Sequence, residues 1–396
     1  MKRPFWPVPI LMALAWVLVF ALGCQSPKPT PTPSQSVAPG AAQPAAPPAA
    51  PPAAPAAQVI TWKVQTAFPA TSLAHISFVE LAKKIEAMSG GRFKWEVLPG
   101  GAIVPPFEAA DAAGKGVIDA AGYVPAYFVG KHAGASLFGT GPSFGMDAND
   151  LLAWEYYGGG WELYQELLQK ELKLNLVGFH FGPIPTQPLG WFRKPIRTAD
   201  DMKGLKYRTV GLATEVYSQM GASVVSLPGG EIVPALERGV IDAAEWNNTT
   251  DDKNLGFPQV TKYYYLQSYH QPVEYLEILV SKDKWDALPA DLRNLVRYAI
   301  MAESADMQWR WIDLNSKDLI EIQKLGVQVF TTPPDILKAQ LDAWDKIIDK
   351  YTNDPKVGPF FKKVLDSQKA WASRVVPWKV QIYVPNIYAY EKYWKK

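Results

Sequence analysis

Four histidines, His75, His132, His180 and His270, and one cysteine, Cys24, are the side chains of this 396-residue chain best suited to nucleophilic, metal or proton-transfer chemistry. Their spacing places none of them for it. The histidines are scattered, and none falls in the His-Glu-x-x-His pattern that turns two imidazoles toward zinc from one helix face. Gly141-Pro-Ser-Phe-Gly145 has the letters Gly-x-Ser-x-Gly but no strand-to-helix run around it to make a nucleophile elbow, and there is no Gly-x-x-x-x-Gly-Lys phosphate loop. Gly158-Gly159-Gly160 leads into Trp161 without the context of a dinucleotide site and reads as a loop. Glu245 is the one attractive general base. With Trp246 it directly follows a short apolar run, and ligands of open α/β sheets sit at such strand ends. Asn247 and Asn248 come next and either hydrogen-bond a hydroxyl or keto oxygen or cap a turn.

The run before Glu245 occurs twice. Gly116-Val-Ile-Asp-Ala-Ala121 and Gly239-Val-Ile-Asp-Ala-Ala244 are identical, and each follows a helical segment, Glu108 to Lys115 and Ile232 to Arg238. The glycine supplies the left-handed residue that ends a helix. Val, Ile and the small alanines then make a short buried strand. Around each copy the element order is the same. Val59 to Thr66 reads as a strand, Ser72 as the cap of a helix running to Met88, and Phe93 to Leu98 as a strand. Lys206 to Val210, Thr214 to Met220 and Val224 to Leu227 repeat strand, helix, strand. Such an order implies parallel crossovers and α/β lobes, two of them.

Pro289 to Leu325 keeps an apolar face for 37 residues, about 55 Å of helix, long enough to brace both lobes. A strand at Val327 to Phe330 and a helix after Pro333-Pro334 follow. Val376 to Trp394 is rich in Trp, Tyr, Ile and Val and contains two prolines; it reads as a tail packed on its own body or an arm packed on a second subunit, the arm being favoured.

The N-terminus carries an export signal. Lys2 and Arg3 precede an apolar run, Ile10 to Leu22, that is too short for a membrane span but suits a signal core. Cys24 directly after Gly23 looks like a lipobox cysteine, lipidated after cleavage; the alternative is an ordinary signal peptide that happens to include it. Residues 25–58 are nearly all Pro, Ala, Ser, Thr and Gln with a single charge, Lys28. Such a stretch cannot bury enough surface to order itself, and as an extended tether it would reach about 100 Å. Without residues 1–23 the chain has 38 basic and 38 acidic residues, which gives no reason to expect nucleic acid as a partner.

Leu73 to Gly101, Asp201-Met-Lys-Gly-Leu-Lys-Tyr-Arg208, Leu227-Pro-Gly-Gly-Glu-Ile-Val-Pro through Glu245-Trp246, Leu255-Gly-Phe257 and Lys262-Tyr-Tyr-Tyr265 together resemble the DctP-type solute receptors of TRAP transporters, in the branch for 2-oxo and related monocarboxylic acids. The resemblance spans the body from Val59 onward. It implies a periplasmic-binding-protein-like α/β fold, two lobes around a ligand cleft with a long helix spanning both, and no catalysis. It implies a signal peptide at 1–23, a lipidated Cys24 with its tether at 24–58, and a body at 59–396. Within the body the expected bounds are lobe 1 at about 59–180, lobe 2 at about 181–280, crossing helices at 281–375 and a C-terminal arm at 376–396.

By the same resemblance Arg208 grips the acid, and a guanidinium can fork onto a carboxylate with two parallel hydrogen bonds. Gln187, Glu245 and Trp246 join it; Asn247, where the branch has smaller residues, is a further candidate, and Tyr123 and Phe144 either line the first-lobe side or belong to the core. Glu245, Gln271, Gln187 and Trp246 are the expected contacts of a Na⁺ or Ca²⁺ ion bridging the ligand carboxylate. Gln271 stands where the branch carries glutamate, so the site has one charge fewer and is weaker, unless Glu274 turns inward. The expected partners are a small organic acid, the TRAP permease subunits, a membrane reached through the lipid anchor, and a second copy in a homodimer. The expected location is the cell envelope, in the periplasm or on the outer face of the cytoplasmic membrane. The alternatives are an enzyme acting on small carboxylic acids, with Glu245 as its base, and a ligand sensor for a signalling partner.

Overall fold

The computed structural model describes residues 59–395. The expectations for the signal peptide, Cys24 and the tether lie outside these residues. Among the described residues no helix is long and apolar enough to cross a membrane.

Among the described residues eleven strands form two sheets. They are β1 (Ile60–Thr66), β2 (Phe93–Leu98), β3 (Ala120–Tyr123), β4 (Leu176–Ile184), β5 (Gly190–Phe192), β6 (Lys206–Arg208), β7 (Ser223–Val225), β8 (Ala243–Ala244), β9 (Tyr263–Tyr265), β10 (Glu274–Ser281) and β11 (Gln328–Phe330). The first sheet has the order β2-β1-β3-β10-β4 and the second β11-β9-β5-β8-β6-β7. As the strand-helix-strand order requires, β1 runs parallel to β2 and β3, and β6 to β7 and β8. Both sheets are mixed, because β10 pairs antiparallel with β3 and β4, and β5 with β8 and β9.

The repeated hexapeptide has the same bonding in both lobes. In the first, Asp119 accepts from the Lys63 N–H at 2.8 Å and its own N–H donates to the Lys63 carbonyl at 3.0 Å. In the second, Asp242 accepts from the Lys206 N–H at 3.1 Å and returns an N–H to the Lys206 carbonyl at 2.8 Å. Gly116 and Gly239 hold φ of 73° and 71°, the left-handed turn that lets each helix stop and its strand begin. The repeat is a way of fastening the strand after the helix to its parallel neighbour, β1 in the first lobe and β6 in the second.

The lobe boundary differs from the expected one. β10 belongs to the first sheet, so the chain crosses to the second lobe after β4 and returns before β10. Residues 185–189 and 266–273 are the crossovers, tied by the Gln187 N–H donating to the Gln271 carbonyl at 3.1 Å. The long helix is Ala290–Lys324 and does touch both lobes. Its buried Glu303 pairs with Lys84 of the helix Leu73–Met88 at 2.6 Å, while its Asn315 Oδ1 accepts from the Thr250 N–H of the second lobe at 3.0 Å. Residues 376–393 are not a separate arm: they continue the helix Gly358–Tyr393, with Pro377 and Pro385 inside its span.

Candidate functional site

β6 and β8 lie side by side with Arg208 opposite Ala244, so Arg208 and Glu245 emerge together at the strand ends. Both are only 1% exposed. Arg208 Nη1 donates to Glu245 Oε1 at 2.8 Å and to the Glu245 carbonyl at 3.0 Å. Its Nε and Nη2 donate to the Leu227 carbonyl at 3.0 and 2.8 Å. These contacts engage four of the five guanidinium N–H groups and leave one, on Nη2. The fork expected to face a ligand is therefore largely occupied by the protein's own oxygens. Burial pushes the Glu245 carboxyl up to about 7 even though Arg208 pulls it back.

Trp246 folds over this pair, its ring centre 5.4 Å from the guanidinium carbon, a cation–π distance. The helix Gly229–Glu237 begins beneath the indole, and a Cβ at Gly229 would stand 2.4 Å from it, so only glycine leaves the ring its place. Phe68, from the first lobe, meets the other side of Trp246 edge-on at 6.4 Å.

Gln187, Arg208, Trp246, Asn247 and Gln271 line one small cavity between the lobes, of about 30 Å³, with Tyr127 and Glu274. Such a volume holds about two water-sized groups, so a larger solute enters only as the lobes part. Gln187 and Gln271 come from the two crossovers. Glu274, at the start of β10, does turn inward; it is 2% exposed, and burial holds its carboxyl well above the usual range. Asn247 donates from Nδ2 to Asp251 Oδ2 at 2.8 Å. Asn248 caps the helix Thr249–Leu255, accepting from the Asp251 N–H at 3.0 Å.

Two sequence candidates lie elsewhere. Tyr123 is packed in the first-lobe core and spends its hydroxyl on the Phe107 carbonyl at 2.8 Å; Tyr127, four residues on and edge-to-face with it at 5.0 Å, is the tyrosine that reaches the cavity. Phe144 lines a separate groove with Trp344, Ile348, Val376 and Ile387. Sequence reasoning missed Tyr127 because it sits in a single short turn, Pro125–Phe128, which has no periodicity to read. A larger recess of about 310 Å³ lies away from the strand ends, lined by Glu155, His180, Trp161 and residues of the long helix.

Several buried oxygens around the cleft have no hydrogen-bond partner: Gln187 Oε1, Gln271 Oε1, Asn247 Oδ1 and Glu245 Oε2. The Thr209 hydroxyl lies beside Glu245, and the His270 ring beside the Gln271 amide. Buried polar atoms of this kind are costly unless something meets them. One carboxylate oxygen and three amide oxygens are hard donors, the set that suits Na⁺ or Ca²⁺ rather than a transition metal. Among the described residues no three His, Cys, Asp or Glu gather as a metal cluster, and the set named here is mostly amide.

Residues 64–354 match the family described as bacterial extracellular solute-binding protein, family 7, or DctP. The chain is 31% identical to a monocarboxylate 2-oxoacid-binding periplasmic protein of Nostoc sp. over 81% of its length and 86% of the relative's. Its fold is similar to that of a TRAP transporter solute-binding protein from Bordetella bronchiseptica, crystallised as a dimer with calcium and picolinate in one site. The TM-score is 0.76 at 28% identity, covering 84% of this chain and 99% of that one. It is similar to the same degree, TM-score 0.76 at 30% identity over 83% and 99%, to a TRAP periplasmic solute-binding protein from Pseudoalteromonas atlantica with bound sodium and pyruvate.

Proposed function

Since the chain belongs to the bacterial extracellular solute-binding protein family 7 and is an exported TRAP-type solute receptor rather than an enzyme, we propose that its cleft takes a small 2-oxo or 2-hydroxy monocarboxylate together with a Na⁺ or Ca²⁺ ion and presents the acid to the membrane permease.

The observation that carries this reading is the Arg208–Glu245 pair. Its charges cancel, and only one guanidinium N–H is left, so an entering carboxylate gains less from Arg208 than from a free guanidinium. A cation held by Glu245 Oε2, Gln187 Oε1 and Gln271 Oε1 supplies the missing positive charge beside the remaining N–H. The ion would neutralise the acid and satisfy three orphaned acceptors together, while Arg208 and Asn247 orient the ligand. The single cationic locus favours one carboxylate over two. Trp246, Tyr127 and Phe68 keep water out of the closed cleft, which strengthens every charge contact within it.

Titration calorimetry of pyruvate, lactate and succinate, with Ca²⁺ and with chelator, tests the proposal. Micromolar or tighter binding of a monocarboxylate that weakens at least tenfold in chelator and low sodium is the expected result. Turnover of the acid, or binding indifferent to the cation, would overturn it.

The lobes in this reading are the two sheets with their helices, joined by the crossovers and the long helix. The signal peptide at 1–23 directs export and is removed, and lipidation at Cys24 then anchors the receptor in the envelope through the tether; the mass of membrane-extracted protein would show the acylated cysteine. The C-terminal helix leaves Trp378, Ile387, Tyr388 and Tyr390 more than half exposed, and a groove of about 870 Å³ opens beside Phe144, Trp344 and Val376. Clustered exposed apolar side chains mark interaction surfaces, and a homodimer formed through this helix would cover them. Light scattering of a chain ending before Val376 is expected to give half the mass of the full chain; an unchanged mass rejects the dimer.

A further inference from the structure

We propose that Asp251 is the closure latch of the receptor: its carboxylate reaches across the cleft to cap the first helix of the opposite lobe, and Asn247 reports the ligand to it. This rests on the ligand reading above and adds the element that holds the closed state.

The helix Leu73–Met88 packs on the first sheet, and its N-terminus points at the cleft with N–H groups that no helical carbonyl can meet. Ser72 caps one of them within its own lobe, accepting from Ala74 N–H at 3.1 Å. The Leu73 N–H is met from the other lobe, by Asp251 Oδ1 at 2.9 Å. The Ser72 hydroxyl donates to Asp251 Oδ2 at 3.0 Å. Asp251 stands in the helix Thr249–Leu255, which follows β8 of the second sheet. One carboxylate thus receives two hydrogen bonds that exist only while the lobes are together, at a helix end whose dipole favours negative charge. Asp251 is fully buried, so parting the lobes replaces these bonds with water, and closure restores them.

The link to the ligand is Asn247. Its Nδ2 donates to Asp251 Oδ2 at 2.8 Å and its backbone N–H donates to Asp252 Oδ1 at 3.1 Å; the residue lines the cavity, is 5% exposed, and its Oδ1 has no partner. A ligand hydroxyl or an ion engaging that oxygen fixes the amide plane and, through it, the carboxylate oxygen that Ser72 meets. A ligand that leaves Asn247 Oδ1 unengaged would dock without setting the latch, so capture and commitment are separate steps carried by Arg208 and by Asp251. The latch acts on dissociation, since its bonds form after the encounter.

The test is stopped-flow tryptophan fluorescence of the full mature chain with lactate, whose hydroxyl can donate to Asn247 Oδ1, and Ca²⁺, alongside hydrogen exchange at the Leu73 amide. For Asp251→Asn, which turns an amide donor toward that of Asn247, koff is expected to rise at least tenfold with kon within twofold of wild type. For Ser72→Ala a rise of about threefold is expected; this change leaves the second lobe intact and guards against misfolding of the first variant. In wild type, ligand is expected to slow Leu73 exchange at least tenfold. Unchanged koff in both variants, a loss confined to kon, or equal Leu73 protection with and without ligand would overturn the latch. If wild type binds none of pyruvate, lactate and 2-oxobutyrate, the ligand reading fails by itself. The latch is then decided by Leu73 exchange alone: faster exchange in Asp251→Asn supports it and equal exchange rejects it.

Discussion

Arg208 and Glu245 form a buried ion pair at 2.8 Å in the very place where a ligand anion is to be bound. The pair fixes both side chains and also holds the site nearly neutral. Removing one member leaves a buried, uncompensated charge, which costs about 3–5 kcal/mol. Arg208→Ala is therefore expected to lower stability by roughly that amount and to weaken pyruvate binding at least a hundredfold. The double variant Arg208→Ala, Glu245→Gln is expected to recover most of the stability and none of the binding. Chemical denaturation and calorimetry on the three proteins separate the two effects; recovery of binding in the double variant would show that Arg208 does not hold the acid.

Gln271 offers the cleft an amide oxygen where a carboxylate would add charge. Gln271→Glu is expected to tighten Ca²⁺ at least tenfold, because each added anionic ligand strengthens a hard-cation site. Calcium titrations followed by tryptophan fluorescence would read this. Equal or weaker affinity would remove the crossover residues from the ion site.

Gly229 lies 2.4 Å, from its would-be Cβ, to the Trp246 ring. Gly229→Ala forces the indole off the guanidinium. The expected costs are about 1–3 kcal/mol of stability, typical of overpacking, and a tenfold or greater loss of pyruvate affinity. A crystal structure of the variant with Trp246 unmoved would contradict the assignment of glycine here to ring clearance.

Much of this architecture could be read in advance because its signals are local. Ser72, the Leu73 to Ile85 periodicity, the glycines after each helix and the apolar face of the long helix each act within a few residues. β4 and β10 escaped because their information is not local. Every residue of both is buried, yet they contain His180, Glu274 and Glu277, which read as surface positions until the strands pair across about 95 residues of chain. The site divides in the same way. The family resemblance nominated Arg208, Gln187, Trp246 and Gln271, and amide chemistry Asn247; all of them line the cavity. That Glu245 would turn back on Arg208, and that Asp251 would leave its own lobe to cap another helix, depends on how two sheets face each other, which no single segment encodes.

His180 makes a pH-dependent contribution of known sign. It lies on β4 between two buried carboxylates, Nδ1 3.2 Å from Glu155 Oε1 and Nε2 3.5 Å from Glu277 Oε2, and Tyr164 donates its hydroxyl to Glu277. Burial by itself would lower the imidazole's affinity for a proton; Glu155 and Glu277 outweigh it and raise the pKa to about 9. An imidazole whose folded pKa exceeds its unfolded value of about 6.5 stabilises the fold fully below pH 6.5 and loses that contribution as pH climbs through 9. The full shift corresponds to at most about 3 kcal/mol, reduced by burial's upward push on Glu277. Urea denaturation between pH 6 and 10 is expected to show stability falling across the window from 6.5 to 9. His180→Gln is expected to be less stable at pH 6 and to flatten that slope, while leaving pyruvate affinity at pH 7 within threefold, since His180 does not line the ligand cavity. A slope that persists in the variant would mean that the alkaline loss arises from another group.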